Sequence, residues 1–528
     1  LKFYQSKYLP IIIGTACALG VWLGSFVKLN QTTSSFFTGN TKKDKLNRLI
    51  DYIDYEYVDE VNTDSIVDVT VNRILKNLDP HSTYIPAKKY AEVSENMQGD
   101  FVGIGVSFYR IQDTVAVIRP LPNSPAEKAG IKAGDRILYA NNIALFNTAI
   151  GNDSLKKILK GEPKTKINLQ IKRQETSGLL SIAVERDHIP IKSIDAAYML
   201  NARLGYVKIN RFSETTAQEF QEAVKALITQ GATELCLDLR DNGGGYLDQA
   251  VKIADAFLPD NKLIVFTKNK NGHINKTYAT ADGSFENTKV FVLINENSAS
   301  ASEVIAGALQ DNDIGTIIGR RSFGKGLVQR EMDLGDGSAV RLTVARYYTP
   351  TGRSIQRSYA NGSNAYFQEY TERYNNGELL HKDSIQVNDS LKFTTPKGKI
   401  VYGGGGIIPD VFIPKNTDQN KESLDYMLRG GVIDRFIFNK LEENRKYYNQ
   451  LTLERFEKEV VADEAMLVAY MDYLGQFGFD YQLSKYKPLL KQYLKATIAL
   501  QLFGSNAAEK IINEHDPYLL KVIQLDTE

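Results

Sequence analysis

Three serines alternate with alanines in Asn297-Ser298-Ala299-Ser300-Ala301-Ser302-Glu303, and a lysine set between glycines follows in Phe323-Gly324-Lys325-Gly326-Leu327-Val328-Gln329. A hydroxyl is a poor nucleophile until a neighbour takes its proton, and amide hydrolysis also needs donors aimed at the developing oxyanion. No histidine lies between the two stretches, so the base on offer to a serine is an amine. The serines follow the apolar run Val290 to Ile294 and precede the helix-forming Glu303 to Leu309, which puts them at a helix N-terminus, where developing negative charge is favoured. A lysine acts as base only when neutral, and from an ordinary pKa of about 10.4 it must be lowered by roughly three units, which a tight, mostly apolar site achieves. Gln329 lies four residues beyond Lys325, on the same face in either a strand or a helix, and its amide is placed to orient the amine. Asp241-Asn242-Gly243-Gly244-Gly245 follows a strand ending at Leu239 and precedes a helix, an N–H-rich turn suited to an oxyanion.

The elements that must position these residues alternate between strand and helix from Ile189 to about Pro414. Gly205 to Ile209 and Glu234 to Leu239 read as buried strands, with a helix from Phe220 to Ile228 between them. Residues 360–399, rich in Asn, Ser and Gly, read as an insertion or mobile loop. Ahead of this region, Leu46, Leu49, Ile50 and Ile53 recur at helical spacing, and Asp64 caps a second helix through Val67, Val71, Ile74 and Leu78. Asp79-Pro80-His81-Ser82 ends that helix, and His81 reads as a turn residue. Beyond Asn416 the period is helical, with Leu490, Tyr493, Leu494 and Ile498 on one face.

Between about Gly99 and Asp187, short alternating runs such as Ile167 to Ile171 indicate a small sheet. Phe101-Val102-Gly103-Ile104-Gly105-Val106, followed by Ser124-Pro125-Ala126-Glu127-Lys128-Ala129-Gly130 and Gly134-Asp135-Arg136-Ile137, resembles a PDZ domain. Glycines there let backbone N–H groups approach a terminal carboxylate while the adjoining strand edge pairs with an extended peptide. The resemblance implies that Gly103, Ile104, Gly105 and Val106 bind the C-terminal tail of a protein.

From about Leu78 to Pro414 the ordered set of motifs resembles the C-terminal processing, or tail-specific, serine peptidases. It comprises the PDZ pattern, Asp238-Leu239-Arg240-x-Asn242-x-Gly244-Gly245, Ser298 to Glu303, Gly324-Lys325-Gly326, Gln329 and Arg346-Tyr347-Tyr348-x-Pro350-x-Gly352. The resemblance implies Ser300 as nucleophile, Lys325 as its base and Gln329 as support for the lysine. It also implies an oxyanion hole formed by the N–H groups of Ala301 and Gly244. Glu303 is a supporting hydrogen-bonding residue and not a base, while Ser298 and Ser302 cap and pack the helix. The implied fold is multidomain α+β, with residues 1–28 an anchor or signal segment and 29–95 a linker and helical segment. A PDZ domain at 96–188, a ClpP/crotonase-like α/β peptidase core at 189–414 and a helical domain at 415–528 complete it. The implied activity is endopeptidase cleavage of proteins held by their tails; a catalytically silent PDZ adaptor or chaperone is the alternative, against which the complete Ser300, Lys325 and Gln329 set speaks.

At 528 residues the chain is too long for one core. Lys plus Arg total 64 against 63 for Asp plus Glu, so no global field draws it to nucleic acid. No Gly-x-x-x-x-Gly-Lys-Ser/Thr loop calls for ATP, no His/Cys/Asp cluster has metal-ligand spacing, and no cofactor is expected. Cys17 and Cys236 fall in unrelated segments, so no intrachain disulfide is expected. Lys2 and Lys7 precede the uncharged Leu9 to Val27, long enough to cross a bilayer, and Lys28 closes it. The lysines put that end in the cytoplasm and the catalytic part outside, on the periplasmic or cell-envelope side. Assembly into a homo-oligomer is left open.

Overall fold

The computed structural model describes residues 14–15, 18–19, 41–111, 113–147, 150–174, 176–286, 288–416, 424, 428, 430–476 and 483–527. The membrane span expected at Leu9 to Val27 lies outside them, save for Gly14, Thr15, Ala18 and Leu19, which are helical. Among the described residues no helix is long and apolar enough to cross a membrane. The chain divides into two units, residues 1–71 and 72–528. In the first, α1 (Thr41–Glu56) carries the expected spacing of apolar residues and leaves Leu49 and Tyr52 exposed. Helix α2 (Thr63–Lys76) starts there, with Thr63 Oγ1 donating to Asp54 Oδ1 at 2.7 Å, and crosses the boundary between the units.

The second unit opens with β1 (Thr83–Ile85) and α3 (Ala87–Gln98). The elements that follow are β2 (Asp100–Gly103), β3 (Val106–Ile111), β4 (Thr114–Pro120), α4 (Pro125–Lys128), β5 (Arg136–Ala140), β6 (Ile143–Ala144), α5 (Asn152–Leu159), β7 (Lys166–Lys172), β8 (Leu179–Glu185) and β9 (Asp187–Pro190), of which β3 to β8 form a small antiparallel sheet. Alternation decides its inner face, since Ile167, Leu169 and Ile171 turn inward against Leu155 and Leu159 of α5 while Lys166, Asn168 and Lys172 stay exposed. Strand β2 lies outside that sheet and pairs antiparallel with β9, Phe101 opposite Ile189.

The main sheet has the order β10 (Ile194–Met199), β11 (Leu204–Ile209), β12 (Glu234–Asp238), β15 (Lys289–Ile294), β16 (Gly315–Gly319), β21 (Val411–Phe412), parallel from β11 onward with β10 antiparallel at one edge. Its central strands are apolar on both faces, as a doubly covered parallel sheet requires. Helices α6 (Thr216–Thr229), α7 (Leu247–Asp255) and α8 (Ala301–Asp311) bury one face. A second sheet is formed by β13 (Leu263–Asn269), β14 (Ile274–Tyr278), β17 (Leu327–Asp333) and β18 (Ala339–Tyr348), with β1 on its edge. Because β12 and β15 are parallel neighbours, with Asp238 opposite Leu293, the loops leaving their carboxyl ends meet. Ligands of open α/β sheets bind at such a point.

Residues 360–399, expected as an insertion or mobile loop, carry regular elements. Helix α9 (Gly362–Asn375) buries Tyr366 and Arg373, and a hairpin of β19 (Lys392–Thr394) and β20 (Ile400–Tyr402) follows. Arg373 donates to Glu378 Oε1 at 2.8 Å, to the Ser322 carbonyl at 3.0 Å and to the Arg321 carbonyl at 2.6 Å, so α9 is fastened to the loop that leads to Lys325. The Arg357 guanidinium lies over the rings of both Tyr366 and Phe323, at 4.2 and 4.5 Å from their centroids. Polar composition reads as loop only until its charges find buried partners.

The C-terminal helices α10 (Val432–Glu443), α11 (Glu464–Gly475), α12 (Lys487–Phe503) and α13 (Ser505–Ile512) enclose their own core, and α14 (Pro517–Thr527) covers the other face of the main sheet through Leu519 and Val522. Phe438 of α10 packs with Ile111, Ala116 and Ile118 of the small sheet, and Tyr109 donates to Asp434 at 2.9 Å. Toward the main sheet, Arg240 donates to Asp516 at 2.7 Å and Lys208 to Glu509 at 2.8 Å.

Candidate active site

Strand β15 ends at Ile294, and the chain reverses into α8 through Asn295 to Ser300. Ser298 sets the turn: its hydroxyl accepts the Asn295 N–H at 2.9 Å and donates to the Leu239 carbonyl at 2.8 Å. Ser302 donates to the Asn242 carbonyl at 3.0 Å, so both flanking serines are structural. Ser300 sits at φ +57°, ψ −112°, a region that costs a residue with a Cβ about 1–3 kcal/mol and persists only when its surroundings enforce it. The enforcement is visible: Ser300 N–H donates to Glu303 Oε2 at 2.8 Å and Ala299 N–H to the Asn242 carbonyl at 3.0 Å. The result is a serine on a strained strand-to-helix turn, with the Ala301 N–H beside it taking no acceptor among the described residues.

The glycine turn leaves β12 at its carboxyl end, held by the buried Asp238 carboxylate, which accepts from Tyr206 at 2.7 Å and from Arg240 at 2.6 Å. Gly244, at φ +98°, lies against the serine turn; a Cβ there would stand 2.8 Å from Ser300 Cβ and 2.9 Å from the Ala299 carbonyl oxygen. Its N–H, expected to serve the oxyanion, donates to Asn242 Oδ1 at 2.9 Å, whereas the N–H groups of Gly243 and Gly245 take no acceptor among the described residues. Gly244→Ala should therefore lower kcat by on the order of 10² or more by displacing Ser300 and its donors. The check is steady-state kinetics beside an unchanged far-UV circular dichroism spectrum; a fully active, folded variant would separate this turn from the chemistry.

Lys325 sits in the loop between β16 and β17. Its N–H donates to Glu303 Oε2 at 2.8 Å, and its carbonyl accepts the Tyr347 hydroxyl at 2.6 Å. Its Nζ donates to Gln329 Oε1 at 2.8 Å, and Gln329 Nε2 is fixed in turn on the His81 carbonyl at 2.7 Å. Burial, reinforced by the Arg341 charge, holds the amine below the ordinary lysine pKa, while Glu303 and Asp79 pull the other way. Ser300 and Lys325 line one cavity of about 540 Å³, together with the glycine turn, Gln329 and Tyr347. No hydrogen bond joins Ser300 Oγ to Lys325 Nζ.

Glu303, fully buried, ties the two loops together. Oε1 accepts Ser322 Oγ at 2.5 Å and Gly324 N–H at 2.7 Å; Oε2 accepts the Ser300 and Lys325 N–H groups. Burial raises its pKa, opposed by those donors. Tyr347 adds a second tie, its hydroxyl lying 3.0 Å from the Ser300 carbonyl. The motif containing Tyr347 was legible in the sequence, but its position under both loops was not.

His81 forms the expected turn, its N–H donating to Asp79 Oδ1 at 2.8 Å, but its ring also enters the site's surroundings, with Nε2 2.9 Å from the Tyr366 hydroxyl. Burial and the neighbouring Lys325 charge push its pKa down to about 4, so at neutral pH the imidazole is uncharged. The effect of Arg341 and Asp79 on Lys325 was not legible in the sequence, where Asp79 read only as part of a turn, since nothing local marks a residue that acts on a distant group. Among the described residues no cluster of three or more His, Cys, Asp or Glu is arranged to hold a metal.

Just ahead of the small sheet, β2 ends at Gly103, and Gly105 adopts φ +75°. The N–H groups of Ile104 and Gly105 take no acceptor among the described residues, and both residues line a groove of about 550 Å³ between α3 and α5. Helix α3 thus borders two cavities, with Glu95 at this groove and Ser94 and Met97 at the one holding Ser300.

A serine turn at a parallel sheet's carboxyl edge, a buried amine in the same cavity and an attached PDZ fold define a serine-type peptidase with a PDZ domain. Residues 203–361 match peptidase family S41, residues 102–184 a PDZ domain and residues 423–504 a family of unknown function, DUF8443. The carboxy-terminal-processing protease of Bartonella bacilliformis is 32% identical over 78% of this chain and 95% of its own length. The carboxy-terminal processing protease CtpA of Bacillus subtilis is 33% identical over 68% of this chain and 75% of its own. Among solved structures, a photosystem II D1 C-terminal processing protease aligns at 28% identity over 70% of this chain and 86% of that one, with a TM-score of 0.35. The chain belongs to peptidase family S41, among the carboxy-terminal processing proteases.

Proposed function

We propose that the protein is an endopeptidase that captures unstructured C-terminal tails in its PDZ groove and cleaves them through a Ser300 acyl-enzyme, with Lys325 as base. The observation that carries this reading is the buried Lys325 amine, held by Gln329, in the cavity of a serine at a helix N-terminus. Neutral Nζ accepts the Ser300 hydroxyl proton as Oγ attacks the scissile carbonyl, and the oxyanion meets the Ala301 N–H and the glycine turn. The resulting ammonium returns its proton to the leaving amine as the C–N bond breaks. Water, deprotonated by the same amine, then hydrolyses the ester and restores the hydroxyl. For this, Nζ must turn from Gln329 Oε1 toward Oγ when substrate binds, and the Gly244 N–H must release Asn242 unless Gly243 or Gly245 serves instead. The uncharged Leu9 to Val27 segment and its flanking lysines support an anchor that holds the catalytic part outside the cytoplasm.

The test is covalent trapping. A fluorophosphonate probe applied to the full chain should add a single adduct, mapped by peptide mass spectrometry to Ser300, and Lys325→Ala should slow its formation severely. Peptide cleavage that persists in Ser300→Ala, or an adduct on Ser298 or Ser302, would refute the assignment.

A further inference from the structure

We propose that, among tails the PDZ groove captures, it selects those that carry acidic residues just upstream of the terminal residue. This rests on the tail-capture reading above and names the class of tail. One end of the groove offers the N–H groups of Ile104 and Gly105, suited to a terminal carboxylate. Its floor is apolar, with Phe101, Phe108 and Leu159 facing the space where the last side chain of a tail would lie.

The rim carries the selectivity. Helix α3 contributes Lys88 and Lys89, and α5 contributes Lys156 and Lys157; all are exposed, and none pairs with a carboxylate among the described residues. Lys160, also at the groove, is already neutralised by an ion pair with Glu95, and its amine lies 4.8 Å above the Phe101 ring. The carboxylates left on the rim, Glu92 and Asp153, are outnumbered by the unpaired lysines. A peptide seated by its carboxylate and extended between the helices runs with its upstream residues between amines coming from both sides. The chain as a whole is almost neutral, so this bias belongs to the groove and not to a general field.

Exposed pairs are individually weak, so an acidic tail should bind tighter than its neutral counterpart by on the order of fivefold at low salt, and a basic tail weaker by a similar factor. The full chain carrying Ser300→Ala, which prevents cleavage, would be titrated with fluorescein-labelled peptides ending in leucine. Their upstream positions would be all Glu, all Gln or all Lys, with fluorescence anisotropy as the readout. The expected order of affinity is Glu over Gln over Lys, collapsing at an ionic strength of about 1 M. Adding Lys156→Glu and Lys157→Glu should invert it. Equal affinity for all three peptides, or an order unchanged by the charge reversal, overturns the inference while leaving tail capture intact. A Glu peptide with an amidated C-terminus separates the two: undiminished binding by it refutes capture through the carboxylate, whatever the charge order. Absence of binding by every peptide overturns both.

Discussion

Lys325→Ala is expected to lower kcat by a factor on the order of 10³ to 10⁴, the range of a lost general base. The amine is buried in the cavity that holds Ser300, and no histidine there offers a substitute: the His81 ring, the nearest imidazole, faces Tyr366. In the parent, kcat/KM should rise with pH through the Lys325 pKa, because the ammonium that prevails below it cannot accept the Ser300 proton. Burial and Arg341 lower that pKa, so activity should extend to lower pH than an ordinary lysine would permit. Arg341→Gln removes one of those causes and should move the acidic limb upward. Stability follows the same sign: a lysine whose pKa is lower folded than unfolded contributes stability that is in place above the unfolded value and lost as pH falls through the folded one. Measured rate profiles of the parent and both variants decide the matter. A Lys325→Ala enzyme within tenfold of the parent would remove lysine from the mechanism.

Glu303→Gln should be nearly as damaging, by a different route. Four donors converge on the carboxylate from Ser300, Ser322, Gly324 and Lys325. Glutamine keeps the shape but turns an acceptor into an NH₂ group, which then confronts two donors in whichever orientation the amide adopts. Leaving buried, charge-assisted bonds broken costs about 2–4 kcal/mol, which urea unfolding would register as a lower midpoint. The serine turn loses the bond that holds Ser300 N–H in its strained conformation, so kcat should fall by on the order of 10² or more. One signature separates this role from a generic loss of packing. Because Glu303 raises the Lys325 pKa, its neutralisation should shift the acidic limb of kcat/KM to lower pH even as the rate falls. A variant with parental stability and rate would show that the carboxylate does not position the two loops.

The short motifs were legible because each expresses a local backbone requirement. Ser298 to Glu303 needs a small-residue turn into a helix, and Phe101 to Val106 needs glycines where N–H groups stay open. Gln329, on β17, meets Lys325, in the loop just ahead of that strand, because the chain between them is short. The elements within residues 360–399 were not legible because a polar composition gives no hint that Arg373 will find Glu378 and two buried carbonyls.

What the sequence by itself determined is the order of the short motifs and the candidate residues they contain, both written in patterns a few residues long. Only the tertiary structure decided how those residues are governed: Gln329 anchored on a carbonyl 248 positions away, Arg341 lowering the Lys325 pKa, Glu303 joining the serine turn to the lysine loop, and the Gly244 N–H held by Asn242. The physical reason is separation along the chain. Local spacing fixes which backbone shapes are allowed, whereas a buried group's partners depend on which strands pair, in what register, and what remains to satisfy each polar atom once water is gone.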